Sequence, residues 1–154
     1  MTRLSGWLPL LLLSAVAGCA SAPEGGATPG SVTSDPPTLL VGDFEDDYGN
    51  RFTISSEVWL QRPRSRYSVV SWVPSRQYLI ARNHPDNPSS AGLWTRIHWL
   101  ELEGTPPWRW GFCLSAYSAA SREVAEATDV VDRSDPRTGC NGWPFSRMRP
   151  LEDR

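Results

Sequence analysis

Between Trp108 and Ala116 the chain alternates with a period of two. Trp108, Trp110, Phe112, Leu114 and Ala116 fall on one side; Arg109, Gly111, Cys113 and Ser115 fall on the other. Side chains point alternately to opposite faces of a strand, so the run reads as a β-strand with one apolar face. This is the most constraining stretch of the sequence, and it sets the class for the rest.

Other runs agree with it. Residues 44–48 and 51–54 are β-rich and flank Gly49-Asn50, a two-residue hairpin signal whose leading glycine suits a type II′ turn. Residues 58–60 give a further short extended piece. Residues 67–73 and 77–81 form a second hairpin across Pro74-Ser75-Arg76. Residues 83–90 are dense in Asn, Pro, Asp and Ser and read as a loop. The longest candidate strand is 93–103, with Leu93, Thr95, Ile97 and Trp99 on one face and Trp94, Arg96 and His98 on the other. The apolar residues then change sides to Leu100 and Leu102, for which a bulge near Trp99 is the expected device. One helix is expected over 122–128, capped by Ser118 or Ser121 and favoured by Glu123 in its first turn. Residues 135–145 read as a structured loop. The fold class expected is mainly β: a small antiparallel barrel or sandwich with one short helix.

The N-terminus says where such a domain works. Met1-Thr2-Arg3 is a short basic start, a Leu-rich run extends over 4–17, and Val16-Ala17-Gly18 ends in Cys19. These are the three parts of a secretory signal. The apolar run falls short of the roughly 20 residues of a spanning helix, and Pro9 interrupts it. Val16-Ala17-Gly18-Cys19 resembles the lipobox of bacterial lipoproteins. That resemblance implies cleavage before Cys19 and acylation of its thiol and new amino group. Acyl chains stabilise attachment by about 0.8 kcal/mol per buried CH₂, and two or more give stable anchoring. Ala20 stands where Asp would imply inner-membrane retention, so the expectation is an outer-membrane lipoprotein facing the periplasm if the source is Gram-negative.

The expected organisation is a signal peptide over 1–18, a lipidated N-terminus and flexible linker over 19–38, a β domain over 39–149 and a tail over 150–154. The linker holds few large apolar residues, cannot offset its ordering entropy, and has a reach of roughly 25 Å. With Cys19 taken by lipid, Cys113 and Cys140 remain as a pair. In an oxidising exported space they are expected to form a disulfide, stabilising by roughly 3.5 kcal/mol in the chain-entropy model.

Formal net charge is −2, and without a basic excess a nucleic-acid partner is not expected; that the chain has Arg but no Lys carries no functional weight. One basic cluster, Arg62-Pro63-Arg64-Ser65-Arg66, reads as a solvated turn or as a contact for anionic headgroups. Of the eight Trp residues one, Trp7, lies in the leader, and most of the others are expected in the core.

Candidate chemistry is sparse. Trp94, Arg96 and His98 share a strand face and combine ring faces, a cation and a titratable donor, which suits a ligand with apolar and anionic parts. The competing reading is an outer face where Arg96 stacks on Trp94. A cysteine enzyme can be drawn from Cys113 or Cys140 with His98 or His84 as base, but a disulfide accounts for both cysteines without it. His84 and His98 have no zinc spacing. The run Asp43, Glu45, Asp46, Asp47 lacks the Gly and bidentate Glu of a calcium loop. No metal, cofactor or catalytic residue is therefore expected. The partners expected are a membrane, through the lipid, and a small amphipathic ligand or an envelope protein.

Two further resemblances concern the domain. Leu40-Val41-Gly42-Asp43-Phe44 resembles the Gly-x-Trp opening of lipocalin-like barrels, with Phe44 in place of Trp, which implies a barrel. Trp94-Thr95-Arg96-Ile97-His98-Trp99, Gly111-Phe112-Cys113 and Gly139-Cys140-Asn141-Gly142 resemble blocks of a small family of uncharacterised bacterial envelope proteins. The second resemblance implies no chemistry.

Overall fold

The computed structural model describes residues 34–151. The leader, Cys19 and most of the expected linker lie outside the described residues. Eight antiparallel strands form one closed barrel in which every strand pairs with its neighbours in sequence and the last returns to the first. They are β1 (Gly42–Asp46), β2 (Arg51–Ile54), β3 (Val58–Gln61), β4 (Ser65–Val73), β5 (Tyr78–Asn83), β6 (Trp94–Glu101), β7 (Trp110–Ala119) and β8 (Ser146–Pro150), with one helix, α1 (Arg122–Ala127), between β7 and β8. Closure comes from β8, whose Met148 faces Asp46 on β1 and Trp110 on β7. Of the two architectures the sequence left open, the chain adopts the barrel.

The period of two selects what fills it. Phe44, Phe52, Trp59, Trp72, Trp99, Trp110, Phe112 and Met148 all point inward and are buried. Their rings meet edge to face: Phe44 on Trp110 at 5.2 Å, Trp59 on Phe112 at 5.3 Å, Phe52 on Phe112 at 5.4 Å and Trp72 on Trp99 at 5.7 Å. An eight-stranded barrel is just wide enough for side chains to fill its interior, and here aromatic rings do so.

Local chemistry explains the turns. At the β1–β2 hairpin, the buried Asp46 carboxylate accepts from the backbone N–H of Tyr48 (3.0 Å) and Asn50 (2.8 Å) and from the Asn50 side chain (2.9 Å). The Asp46 N–H donates to the Asn50 carbonyl, and Gly49 has φ +81°. The connection is thus a three-residue loop with a left-handed Gly49 in its last position, rather than the expected type II′ turn. Asp46 holds the longer form by capping the loop's N–H groups. In α1, Ser121 is the N-cap and its Oγ accepts from Val124 N, while Glu123 stands in the first turn.

The bulge expected near Trp99 is absent. On β6 the alternation runs unbroken, with Ile97 and Trp99 in the interior core and Leu100 outside it. Leu100 is buried because the outer wall is itself covered. Phe145, Val131 and Cys140 pack on Leu100, Leu102 and Cys113, and α1 packs through Ala125 on Tyr78, Ile80 and Ala119. Irregular pairing falls lower on the strand, where Trp94–Ile97 faces Ala119–Leu114. Trp108 also departs from its expected face. It precedes β7 and lies outside, with the guanidinium groups of Arg147 and Arg149 at 5.0 and 5.8 Å from its ring.

Candidate functional site

The expected face of β6 lies beneath the segment 120–145, which crosses the outer wall between β7 and β8. Trp94 is half-buried, and Arg96 and His98 are fully buried. The open strand face drawn from the sequence is therefore not there. Nor does Arg96 stack on Trp94: Arg82 does so at 5.2 Å, while the Arg96 guanidinium sits 3.9 Å over the Tyr78 ring.

Arg96 and His98 belong to a polar knot that ties the segment to the barrel. Arg96 Nη1 donates to the Glu126 carbonyl at 2.6 Å, satisfying one of the orphan acceptors at the C-terminal end of α1. Its Nη2 lies 3.3 Å from Asp129 Oδ1, and Arg76 Nη2 donates to Asp129 Oδ2 at 3.3 Å. Arg133 Nη2 approaches His98 Nδ1 at 2.6 Å. A guanidinium can only donate, so Nδ1 accepts and the imidazole proton rests on Nε2, 3.7 Å from Asp129 Oδ1. Burial, reinforced by the charges of Arg96 and Arg133 and opposed by Asp129, lowers the His98 pKa to about 3. His98 is thus neutral at neutral pH. Burial also lowers the Arg133 pKa.

The cysteines complete the attachment. Cys113 and Cys140 are joined, with their Cα atoms 5.6 Å apart. His98 lies directly opposite Cys113 in the β6–β7 register. Imidazole and sulfur are thereby neighbours, but Nδ1 faces Arg133 and the sulfur is engaged by Cys140, so no thiolate–imidazole pair exists. His84 opens the β5–β6 loop directly after β5, with Nδ1 3.6 Å from Asp86. Among the described residues no three His, Cys, Asp or Glu side chains converge as a metal-ligand group.

The open site is elsewhere, on the wall formed by β1, β2 and β8. A groove of 970 Å³ is lined by Asp43, Glu45, Arg51, Arg62, Arg109 and Arg149, with Pro106, Pro107, Pro150 and Leu151 supplying apolar surface. Glu45 takes a hydrogen bond from Arg149 and lies 3.9 Å from Arg51. The Arg149 contact holds its carboxyl below the ordinary range, with Arg51 adding to the effect. Arg62 Nη2 donates to Thr53 Oγ1 at 2.9 Å, which in turn donates to Asp43 at 2.6 Å. Of the basic cluster read from the sequence, only Arg62 lines this groove. The other lining arginines come from three separate places in the chain and carry no local motif.

Comparison with protein-family models, with curated proteins and with solved structures finds no match for this chain. The fold and the site define it as a filled, closed eight-stranded barrel with a strapped outer wall on one side and an arginine-lined groove on the other.

Proposed function

We propose that this is a lipid-anchored, non-enzymatic cell-envelope protein whose barrel binds through its outer surface, with a small ligand or an envelope protein as partner. The resemblance of Val16-Ala17-Gly18-Cys19 to a lipobox supports the anchor, and Ala20 supports an outer-membrane position facing the periplasm in a Gram-negative source. The observation that carries the binding mode is the interior. Phe44, Phe52, Trp59, Trp72, Trp99, Trp110 and Phe112 occupy the space a carrier would keep for cargo. A solid barrel is a rigid platform, and its recognition chemistry lies outside.

Two measurements test the reading. Mass spectrometry of the native product is expected to find Cys19 acylated as the first residue, with Cys19→Ser releasing the chain from the membrane fraction. Retention of Met1 through Gly18 on an unmodified Cys19 refutes the anchor. Titration with a fluorescent fatty-acid probe is expected to leave the fluorescence of the buried tryptophans unchanged, and saturable quenching refutes the solid platform.

A second reading rests on one observation, the direct pairing of His98 with Cys113. It is a cysteine-dependent hydrolase or redox enzyme using Cys113 or Cys140 with His98. That reading requires a free thiol. Alkylation of the exported, unreduced protein labels Cys113 or Cys140 if it holds, and neither if the disulfide persists.

A further inference from the structure

The register brings five distant residues into one row. Arg51 on β2 is paired with Glu45 on β1, and Glu45 with Arg149 on β8. The row extends at both ends. The Arg62 N–H donates to the Arg51 carbonyl at 2.8 Å, one step beyond the Phe52–Gln61 pair of β2 and β3. The Arg109 N–H donates to the Met148 carbonyl at 2.9 Å, one step beyond the Met148–Trp110 pair of β8 and β7. Phe44, Phe52, Trp110 and Met148 point inward, so their neighbours Glu45, Arg51, Arg109 and Arg149 point outward. The result is a stripe across five adjacent chain segments in the order Arg62, Arg51, Glu45, Arg149, Arg109. At the ordinary strand spacing it spans about 19 Å.

This stripe is not electrically closed. Glu45 is its sole carboxylate and serves both central arginines. Arg62 reaches the groove's other carboxylate, Asp43, only through the Thr53 hydroxyl. The Arg109 side chain has no hydrogen-bond or ion-pair partner among the described residues. Two guanidinium pairs, Arg62 with Arg51 and Arg149 with Arg109, therefore flank a central acid, and all four arginines line the same groove. Guanidinium forks match planar or tetrahedral oxyanions two bonds at a time.

We infer that the groove binds an acidic polysaccharide, an extended hydroxylated chain bearing carboxylate or phosphate groups. This rests on the proposal that the barrel binds through its outer wall. Three features select the class. The cations come in two groups separated by Glu45, which fits anionic charge spaced along a chain. Asp43 and Glu45 repel a densely charged anion but accept hydrogen bonds from sugar hydroxyls. The lining holds no aromatic side chain, and the nearby Trp108 ring is already taken by Arg147 and Arg149 at 5.0 and 5.8 Å, so nucleic-acid bases find no free ring on which to stack. A peptide strand has no edge to join here, because β1 is paired on both sides.

The test uses the full-length chain carrying Cys19→Ser and a galacturonic acid oligomer, with neutral dextran, single-stranded DNA and phosphatidylglycerol vesicles as comparators. The oligomer is expected to bind saturably and less tightly as salt rises, and dextran not at all. Arg62→Gln with Arg109→Gln is expected to weaken binding by roughly tenfold or more, since two charge-assisted contacts are lost. Arg137→Gln, which lies outside the groove, leaves it unchanged. Arg109→Gln alone is the second variant, because that side chain holds nothing in place among the described residues. The inference is overturned if the oligomer does not bind, if the variants bind it as tightly as the parent, or if vesicles or DNA bind through these arginines more tightly than the oligomer. Fatty-acid uptake into the barrel would instead sink the outer-wall reading itself, so the two failures are distinguishable.

Discussion

Acid should loosen this protein well above the pH at which carboxylates titrate, and His98 is the reason. Its imidazole is fully buried between Arg133 and Asp129, and its pKa lies at about 3 against an ordinary 6.5. Between those values the unfolded chain binds a proton at His98 and the folded chain does not. Stability therefore rises with pH across the window; it is fully present above 6.5 and lost as pH falls toward 3. One pKa unit corresponds to about 1.4 kcal/mol, so the whole shift is worth up to about 5 kcal/mol. From pH 7 to pH 5 the same linkage gives a loss of about 2 kcal/mol. Glu45, Asp132 and Asp135 are held below their ordinary values by Arg149, Ser134 and Thr138. Their contributions are lost only in the acid range, near and below pH 5. Urea unfolding followed by tryptophan fluorescence at pH 7, 6 and 5 reads the slope in the clean part of the window. His98→Gln keeps an acceptor for Arg133 but loses the ring packed 5.7 Å from Tyr78, so it is less stable than the parent at pH 7, while its stability should be nearly flat between pH 7 and 5. An unchanged slope in His98→Gln would refute the argument and move the acid sensitivity elsewhere.

Further outcomes follow from the strap and the core. Replacing Cys113 and Cys140 together by Ser should lower unfolding free energy by roughly 3.5 kcal/mol, with a matching fall in the urea midpoint. Gly139→Ala should destabilise by about 3 kcal/mol or more, because the added Cβ would lie 1.7 Å from the Asp132 carbonyl oxygen and 2.5 Å from that of Asp135. Thermal melting checks it, and a melting point within a degree or two of the parent contradicts the packing at that turn. Asp46→Ala removes the acceptor of three hydrogen bonds at the β1–β2 loop and should cost about 2–3 kcal/mol. Trp59→Ala opens the centre of the barrel and should cost about 3–5 kcal/mol, with the resulting cavity admitting apolar probes the parent excludes.

What the sequence discloses here divides along the barrel wall. Inward positions are legible because one rule governs them all. Along residues 108–116 the large apolar residues Trp110, Phe112 and Leu114 alternate with Arg109, Gly111, Cys113 and Ser115, as a strand with one ring-filled face requires. The helix at 122–127 is legible for an equally local reason, the Ser121 cap and the run of helix formers behind it. Outward positions obey no such rule once a segment crosses over them. Leu100 on β6 and Leu102 just beyond its end break the polar side because Phe145 and Val131 arrive from far along the chain to cover them, which no window of sequence contains. Arg96 and His98 look like an exposed patch for the same reason. The strand at 146–150 is short, and Met148 is its sole buried residue, so its alternation is too brief to stand out.

The arginine stripe is the extreme case. Arg51, Arg62, Arg109 and Arg149 share nothing in sequence, and only Arg62 stood in a visible cluster. What unites them is register: one residue of slip between β1 and β8 would turn Arg149 into the aromatic core and Met148 onto the surface. The aromatic interior prevents that slip, since Met148 and Phe44 must both face inward for the barrel to close around Trp110. The same packing that leaves no room for cargo therefore fixes the row of charges outside. A substitution that loosens the interior, such as Trp59→Ala, should weaken oligomer binding at the groove without touching an arginine. Retention of full affinity in that variant would separate the core from the stripe.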